Sequence, residues 1–225
     1  KCDNVTIRRN EIYASGAIYP PGTPPEEKNA EGIDNVNGAN MRVEDNYIHD
    51  TATTGVYFKG GARDVIVQRN RIENAGEAGI LVGFDTSPDF FDLSENPQYY
   101  EAIRGVVRNN VIRGTNYAGI GLYASRDAVV ANNTIVDAAR SGHAAIYYGV
   151  TLQDFDPEAG RPANTGALVR NNLVIQNARP CVAVRYSQDL GGLSGLVGSP
   201  GTDYNAFHDI TGACTYIDAR PGSPL

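Results

Sequence analysis

The sequence predicts an all-β fold, a right-handed parallel β-helix of about six to seven coils, on three observations. A motif of the form apolar-x-apolar-x-x-Asn-x-apolar recurs along the 225 residues. Within each copy the apolar residues alternate with period two, the mark of a strand and not of a helix. The composition agrees, because 25 Gly and 13 Tyr with no Trp and a single Met do not build the Leu- and Ala-rich periodicity of a helical bundle. A chain of this length is read as one domain over residues 1–225.

The copies run in order. Val5-Thr6-Ile7 is followed by Asn10-Glu11-Ile12, and Met41-Arg42-Val43 by Asn46-Tyr47-Ile48. Val65-Ile66-Val67 precedes Asn70-Arg71-Ile72, and Gly105-Val106-Val107 precedes Asn110-Val111-Ile112. Ala128-Val129-Val130 with Asn133-Thr134-Ile135 and Ala167-Leu168-Val169 with Asn172-Leu173-Val174 complete the regular set, and Asn205-Ala206-Phe207 is a degenerate seventh. Successive asparagines lie 36, 24, 40, 23, 39 and 33 residues apart. The shortest spacings define the bare coil, and the longer ones are coils with an inserted loop.

A third strand follows each pair: Gly55–Lys59, Gly79–Gly83, Gly119–Tyr123, Ala145–Gly149 and Cys181–Arg185. Three short strands per repeat make a coil whose turns stack about 4.8 Å apart, like residue over like. The asparagines are then placed to bond from coil to coil, as stacked amides do. A leucine-rich repeat is excluded by the missing Leu-x-x-Leu-x-Leu spacing. The formal charge of −7 argues against nucleic acid, whose phosphates need clustered cations. No apolar run approaches the roughly 20 residues of a membrane span, and residues 1–20 hold no signal-peptide pattern.

The Asn109-Asn110-Val111-Ile112 and Asn132-Asn133-Thr134-Ile135 copies, with their Gly-led strands, resemble the right-handed β-helix proteins of the pectate-lyase-like superfamily. The resemblance spans essentially the whole chain. It implies that the Gly-led strands form a first sheet, along which a polysaccharide lies in a groove walled by the loops that follow. The insertions at 20–37, 84–101, 150–164 and 187–202 are read as those loops. Parity then points Tyr19, Tyr57, Lys59, Leu81, Gly121, Tyr123, Tyr147 and Arg185 outward into the groove. Tyr57, Tyr123 and Tyr147 suit stacking on sugar faces, and Arg185 suits a sugar carboxylate.

Phe58-Lys59-Gly60-Gly61 is similar to the Lys-Ser-Gly turn of alginate-lyase and chondroitinase-type β-helices, which implies Lys59 as the base of a β-elimination. Elimination from a uronate needs a base at C5 and a cation on the carboxylate. The acidic calcium ligands that such enzymes carry before the lysine are replaced here by Thr53-Thr54-Gly55-Val56-Tyr57. Lys59 and Arg185 are also four coils apart, roughly 19 Å, so they do not share one carboxylate. Asp85 and Asp89, with Asp92 and Glu95, offer the acid/base pair of a glycoside hydrolase or the oxygens of a Ca²⁺ site, and Asp154, Asp156 and Glu158 offer a second acidic loop. Tyr100-Glu101 closes the largest loop and is placed to anchor it.

His49, His143 and His208 fall on different coils without metal-ligand spacing; His143, just before a first-sheet strand, is read first as a turn residue and second as one that reaches the groove. Cys181 and Cys214 each follow a repeat asparagine by nine residues, so they are expected to touch, while Cys2 is left alone. A bridge there favours an extracellular or periplasmic protein. The sequence therefore reads as a carbohydrate-active β-helix with an acidic polysaccharide as partner and Ca²⁺ as the one cofactor its chemistry admits. Elimination leads, hydrolysis by loop carboxylates is the second enzymatic reading, and a non-catalytic scaffold binding glycan or protein is the rival from another class.

Overall fold

The computed structural model describes residues 2–24, 27–151, 160–212 and 214–223. Three parallel sheets of seven strands each run its length, and every coil contributes one strand to each. The first sheet comprises Ile33–Val36, Val56–Lys59, Ile80–Val82, Ile120–Tyr123, Ile146–Gly149, Val182–Val184 and Tyr216–Asp218. The second carries the strand before each repeat asparagine, from Thr6–Arg8 to Gly201–Asp203, and the third the strand after it, from Glu11–Tyr13 to Ala206–Asp209. The molecule is a right-handed parallel β-helix.

Register places like over like. Val43, Val67, Val107 and Val130 stack inside the second sheet, and Ile48, Ile72, Ile112 and Ile135 inside the third, all fully buried. Gly105 interrupts the column of Met41, Val65 and Ala128 because the ring of Phe58 fills its place; a Cβ there would lie 2.6 Å from that ring.

Corners are made by left-handed backbone. The residue before each repeat asparagine, Arg9, Asp45, Arg69, Asn109, Asn132, Asn171 and Tyr204, has φ between 51° and 58°. One such residue turns the chain from the second sheet to the third at a cost of about 1–2 kcal/mol. The asparagine that follows offsets it. Asn10, Asn46, Asn70, Asn110, Asn133 and Asn172 each donate an amide N–H to the next asparagine's Oδ1 at 2.9–3.0 Å, ending on Asn205. Each backbone N–H of these six donates to the same oxygen. The column is unbroken through all seven coils.

Three of the four expected insertions do follow first-sheet strands. The first does not. Residues 20–37 contain the strand Ile33–Val36, whose Gly32 and Ile33 N–H groups bond to Thr54 and Gly55 of the next coil. The insertion of the first coil thus precedes the first sheet, and Tyr19 is not part of that sheet. Gly32 occupies the place of Gly55 and Gly79, a corner where a Cβ would meet the isoleucine of the third sheet. Gly16 imitates that signal without the apolar alternation behind it.

Cys181 and Cys214 form a disulfide with Cα atoms 5.7 Å apart. Their expected shared column is offset by one residue, because Val182 pairs with Tyr216. The last coil gains its extra residue in the turn after Asp209, where Thr211 bonds back to that carboxylate.

Candidate functional site

The outer face of the first sheet carries two columns. Asp34, Tyr57, Leu81, Gly121, Tyr147 and Ala183 form one; Tyr123 and Gly149 belong to the other, as do Lys59 and Arg185 at the ends of their strands. Tyrosine alternates with glycine because the rings lie down on the sheet. A Cβ on Gly121 would lie 2.9 Å from the Tyr123 ring, and one on Gly149 would collide with it outright. Tyr57, Tyr123 and Tyr147 are therefore only 5–6% exposed, joined by Leu81, Ala78, Ala118, Ala144 and Ala183 in an apolar layer outside the coil.

A pocket of about 330 Å³ opens in this layer, lined by Thr54, Glu77, Ala78, Leu81, Phe84, Tyr117, Tyr123 and His143. Phe84, the first residue of the largest loop, stands edge-on to Tyr123 at 5.6 Å and stacks toward Tyr57 at 6.5 Å. His143 lies flat on Tyr147, with ring centroids 4.1 Å apart and planes within 2°, and its other neighbour is Tyr117 at 5.0 Å. Its Nδ1 is 3.4 Å from the Tyr123 hydroxyl. Burial first, and the nearby positive charge of Arg185 second, push this imidazole down to about 4, so it is neutral at pH 7. Burial holds the Tyr123 hydroxyl protonated. Arg185 is exposed, and its positive charge acts on both Tyr147 and His143.

The sequence-predicted residues divide into two groups. Tyr123, Tyr147 and Arg185 gather with His143 around coils four to six. Lys59 is at the far end, its Nζ donating to the Asp85 carbonyl at 2.9 Å and lying 4.5 Å from the Tyr57 ring. Asp85 and Asp89 are exposed, the latter on a single 3₁₀ turn, Pro88–Phe90, and Glu95 is paired with Arg63 at 2.6 Å. Asp154, Asp156 and Glu158 lie outside the described residues. Among the described residues no three His, Cys, Asp or Glu side chains converge on one point that would hold a metal ion.

The loop that carries Phe84 is held by a buried clamp. Glu101, fully buried, receives the Gly60 N–H at 2.8 Å, the Thr86 hydroxyl at 2.7 Å and Arg161 Nε at 3.1 Å. Arg161 in turn lies over Phe91 and Tyr99 at 4.7 and 4.9 Å. Burial raises the Glu101 carboxyl to about 7 against the pull of these donors. The clamp joins the loops after the third and fifth coils to the turn that follows Lys59.

Glu77, Tyr117 and Phe84 were not legible as site residues by parity, and His143 was legible only from its place just before a first-sheet strand. At the corner, Gly79 and Ile80 both face inward, so the alternation slips and Ala78 turns outward. The signal available was the alanine that recurs before these strands, Ala78, Ala118 and Ala144; Ala78 lines the pocket, and the other two lie in the same apolar layer.

These features define the class, a right-handed parallel β-helix repeat protein. Residues 1–96 match the family model described as the right-handed β-helix region. Among solved structures, the A-module of the Azotobacter vinelandii mannuronan C-5 epimerase AlgE4 aligns with a TM-score of 0.57 at 16% identity, over 98% of this chain and 55% of that one. The Dettilon tailspike protein aligns at 0.61 and 15%, over 92% and 38%, and the GH136 lacto-N-biosidase of Eubacterium ramulus at 0.55 and 16%, over 92% and 46%. The chain spans about half or less of the length of these structures, and at such identities the likeness is one of fold. No curated protein matches the sequence.

Proposed function

We propose that this β-helix is a carbohydrate-active protein that seats an acidic polysaccharide along its first sheet and eliminates at a uronate unit. One observation carries the reading: a neutral imidazole, His143, sits on the wall of a sugar-sized pocket, within reach of the protonated Tyr123 hydroxyl and beside Arg185. His143 takes the proton from the carbon bearing the carboxylate, and Arg185 neutralises the charge that develops on that carboxylate. Tyr123 gives its proton to the departing glycosidic oxygen; the C–O bond breaks and a carbon–carbon double bond forms. A bound carboxylate also raises the basicity of His143 toward the working pH, by offsetting the Arg185 charge. The solved relatives support a glycan partner, since their names include an epimerase of mannuronan and a lacto-N-biosidase.

Lys59, the base expected from sequence, has its Nζ engaged by the Asp85 carbonyl and lies on the second coil, away from Arg185. The experiment is to incubate wild type, His143→Ala and Lys59→Ala with a panel of uronate polysaccharides, with and without Ca²⁺, and follow the ultraviolet absorbance of the unsaturated product. A rise in wild type and Lys59→Ala that His143→Ala abolishes supports the proposal. A rise lost only in Lys59→Ala returns the base to the lysine, and new reducing ends without absorbance indicate hydrolysis through Asp85 and Asp89. A flat trace with unchanged reducing ends favours a non-catalytic scaffold; the nearly covered tyrosine faces leave little ring surface for a sugar to stack on. The Cys181–Cys214 bridge supports an extracellular or periplasmic location.

A further inference from the structure

A second cluster lies on the third sheet and shares no residue with the pocket. Tyr13 of the first coil is in register with His49 of the second. Their rings stack with centroids 5.3 Å apart and planes within 7°. His49 stacks in turn on Tyr47 at 4.2 Å, and the Arg71 guanidinium lies over the Tyr47 ring at 4.8 Å. Hydrogen bonds fix each layer beneath Tyr13. The two ring nitrogens of His49 meet Asp50 at 2.7 Å and Glu11 at 3.3 Å, and Asn74 of the next coil holds Asp50. The Tyr47 hydroxyl donates to Glu73, which also receives Arg71 on both oxygens. Two carboxylates on one imidazole favour its protonated form; the Asp50 bond first, then that to Glu11, raises its pKa against burial.

Tyr13 is 62% exposed, so one face of its ring rests on His49 and the other is open to solvent. Tyr204 is more exposed, but among the described residues no ring or cation backs it. Tyr57, Tyr123 and Tyr147 are backed but nearly covered. Tyr13 combines a free face with a fixed orientation, which lowers the ordering cost of an aromatic contact. Glu11 beside it is exposed, and its Oε2 has no partner among the described residues. Both cations of the cluster are already paired, His49 with Asp50 and Glu11, and Arg71 with Glu73. We propose that this stack is a second glycan site, which seats an uncharged hexose unit on the open face of Tyr13 with a sugar hydroxyl donating to Glu11. The apolar face of the sugar covers the ring, and the three carboxylates turn away an acidic unit. The site stands apart from the reading proposed for the first sheet, and either can hold without the other.

The test is affinity electrophoresis of the full chain through gels containing a neutral β-glucan, galactan or mannan, or polygalacturonate. Wild type is expected to be retarded by at least one neutral polymer, and Tyr13→Ala to weaken that binding about tenfold. His143→Ala, altered in the other site, is expected to keep it. Tyr13→Trp retains a stacking ring and adds a single tryptophan to a chain that has none. Its emission is expected to shift to the blue when an oligosaccharide of the retarding polymer is added. Tyr13→Ala retarded as strongly as wild type, or retardation lost in His143→Ala instead, overturns the proposal. So does a panel of neutral polymers that neither slows wild type nor shifts Tyr13→Trp. Retardation by polygalacturonate alone, removed by Tyr13→Ala, overturns the neutral ligand.

Discussion

Asn110 shows how much one side chain contributes to a stacked fold. Its Oδ1 receives two N–H groups from Asn70, and its amide donates to Val67 O and to Asn133, all at 3.0 Å in a fully buried setting. Asn110→Ala leaves donors and acceptors of both neighbours unpaired and is expected to cost about 3 kcal/mol, read as a lower urea midpoint. Asn10→Ala, at the exposed end of the same column, is expected to cost about 1 kcal/mol. Tyr148 poses the opposite case. Its ring is fully buried inside the coil and its hydroxyl has no partner among the described residues, so Tyr148→Phe should stabilise by about 1 kcal/mol in the same assay. For His143 the folded state binds a proton less tightly than the unfolded chain, whose imidazole titrates near 6.5. The stability it confers is complete above that pH and is lost as pH falls toward about 4. Screening at this half-buried site brings the loss to roughly 2 kcal/mol. Comparing urea midpoints of wild type and His143→Gln at neutral and mildly acidic pH checks this; equal slopes with pH would refute it.

At the scale of elements, the loop over the pocket is positioned by chemistry remote from it. The Glu101–Arg161 pair is buried on both sides, and its donors include the turn after Lys59. Arg161→Leu leaves a carboxylate buried without its cation and is expected to destabilise by about 3–5 kcal/mol. The same variant should admit protease to residues 84–101 before the coil itself melts, because Thr86 and Glu101 hold the two ends of that segment together. Glu101→Gln, which keeps the shape and the acceptor for Gly60, should be milder in both assays. Anchoring by Tyr100-Glu101 was legible from where those residues close the loop. Its partner was not, since Arg161 is 60 residues away in another insertion.

Taken whole, the molecule is close to one-dimensional, each coil touching mainly the coils before and after it. Stability should then be greatest at the centre and fall toward both ends. Ile72, Ile112 and Ile135 have no exposure, whereas Phe207, in the same column of the last coil, is 37% exposed and Ile12 of the first is half-buried. Hydrogen exchange is expected to be slowest at the third-sheet strands Arg71–Glu73, Val111–Arg113 and Thr134–Val136, and fastest at Glu11–Tyr13. The Cys181–Cys214 bridge should slow exchange in the last coil, an effect removed by reductant. Uniform protection along the axis would contradict nearest-neighbour stacking. The repeat determined the fold from the sequence alone, because stacking needs only an apolar residue at every second position and an asparagine at one corner of every coil. The position of each inserted loop after its strand was legible for the same reason, except where Gly16 stood in for Gly32. What only the tertiary structure decided is the site: Glu77, Tyr117 and His143 come together from three successive coils, and the corner glycines shift the parity that would have placed them. Local patterns specify a coil; the chemistry depends on which side chains neighbouring coils bring side by side.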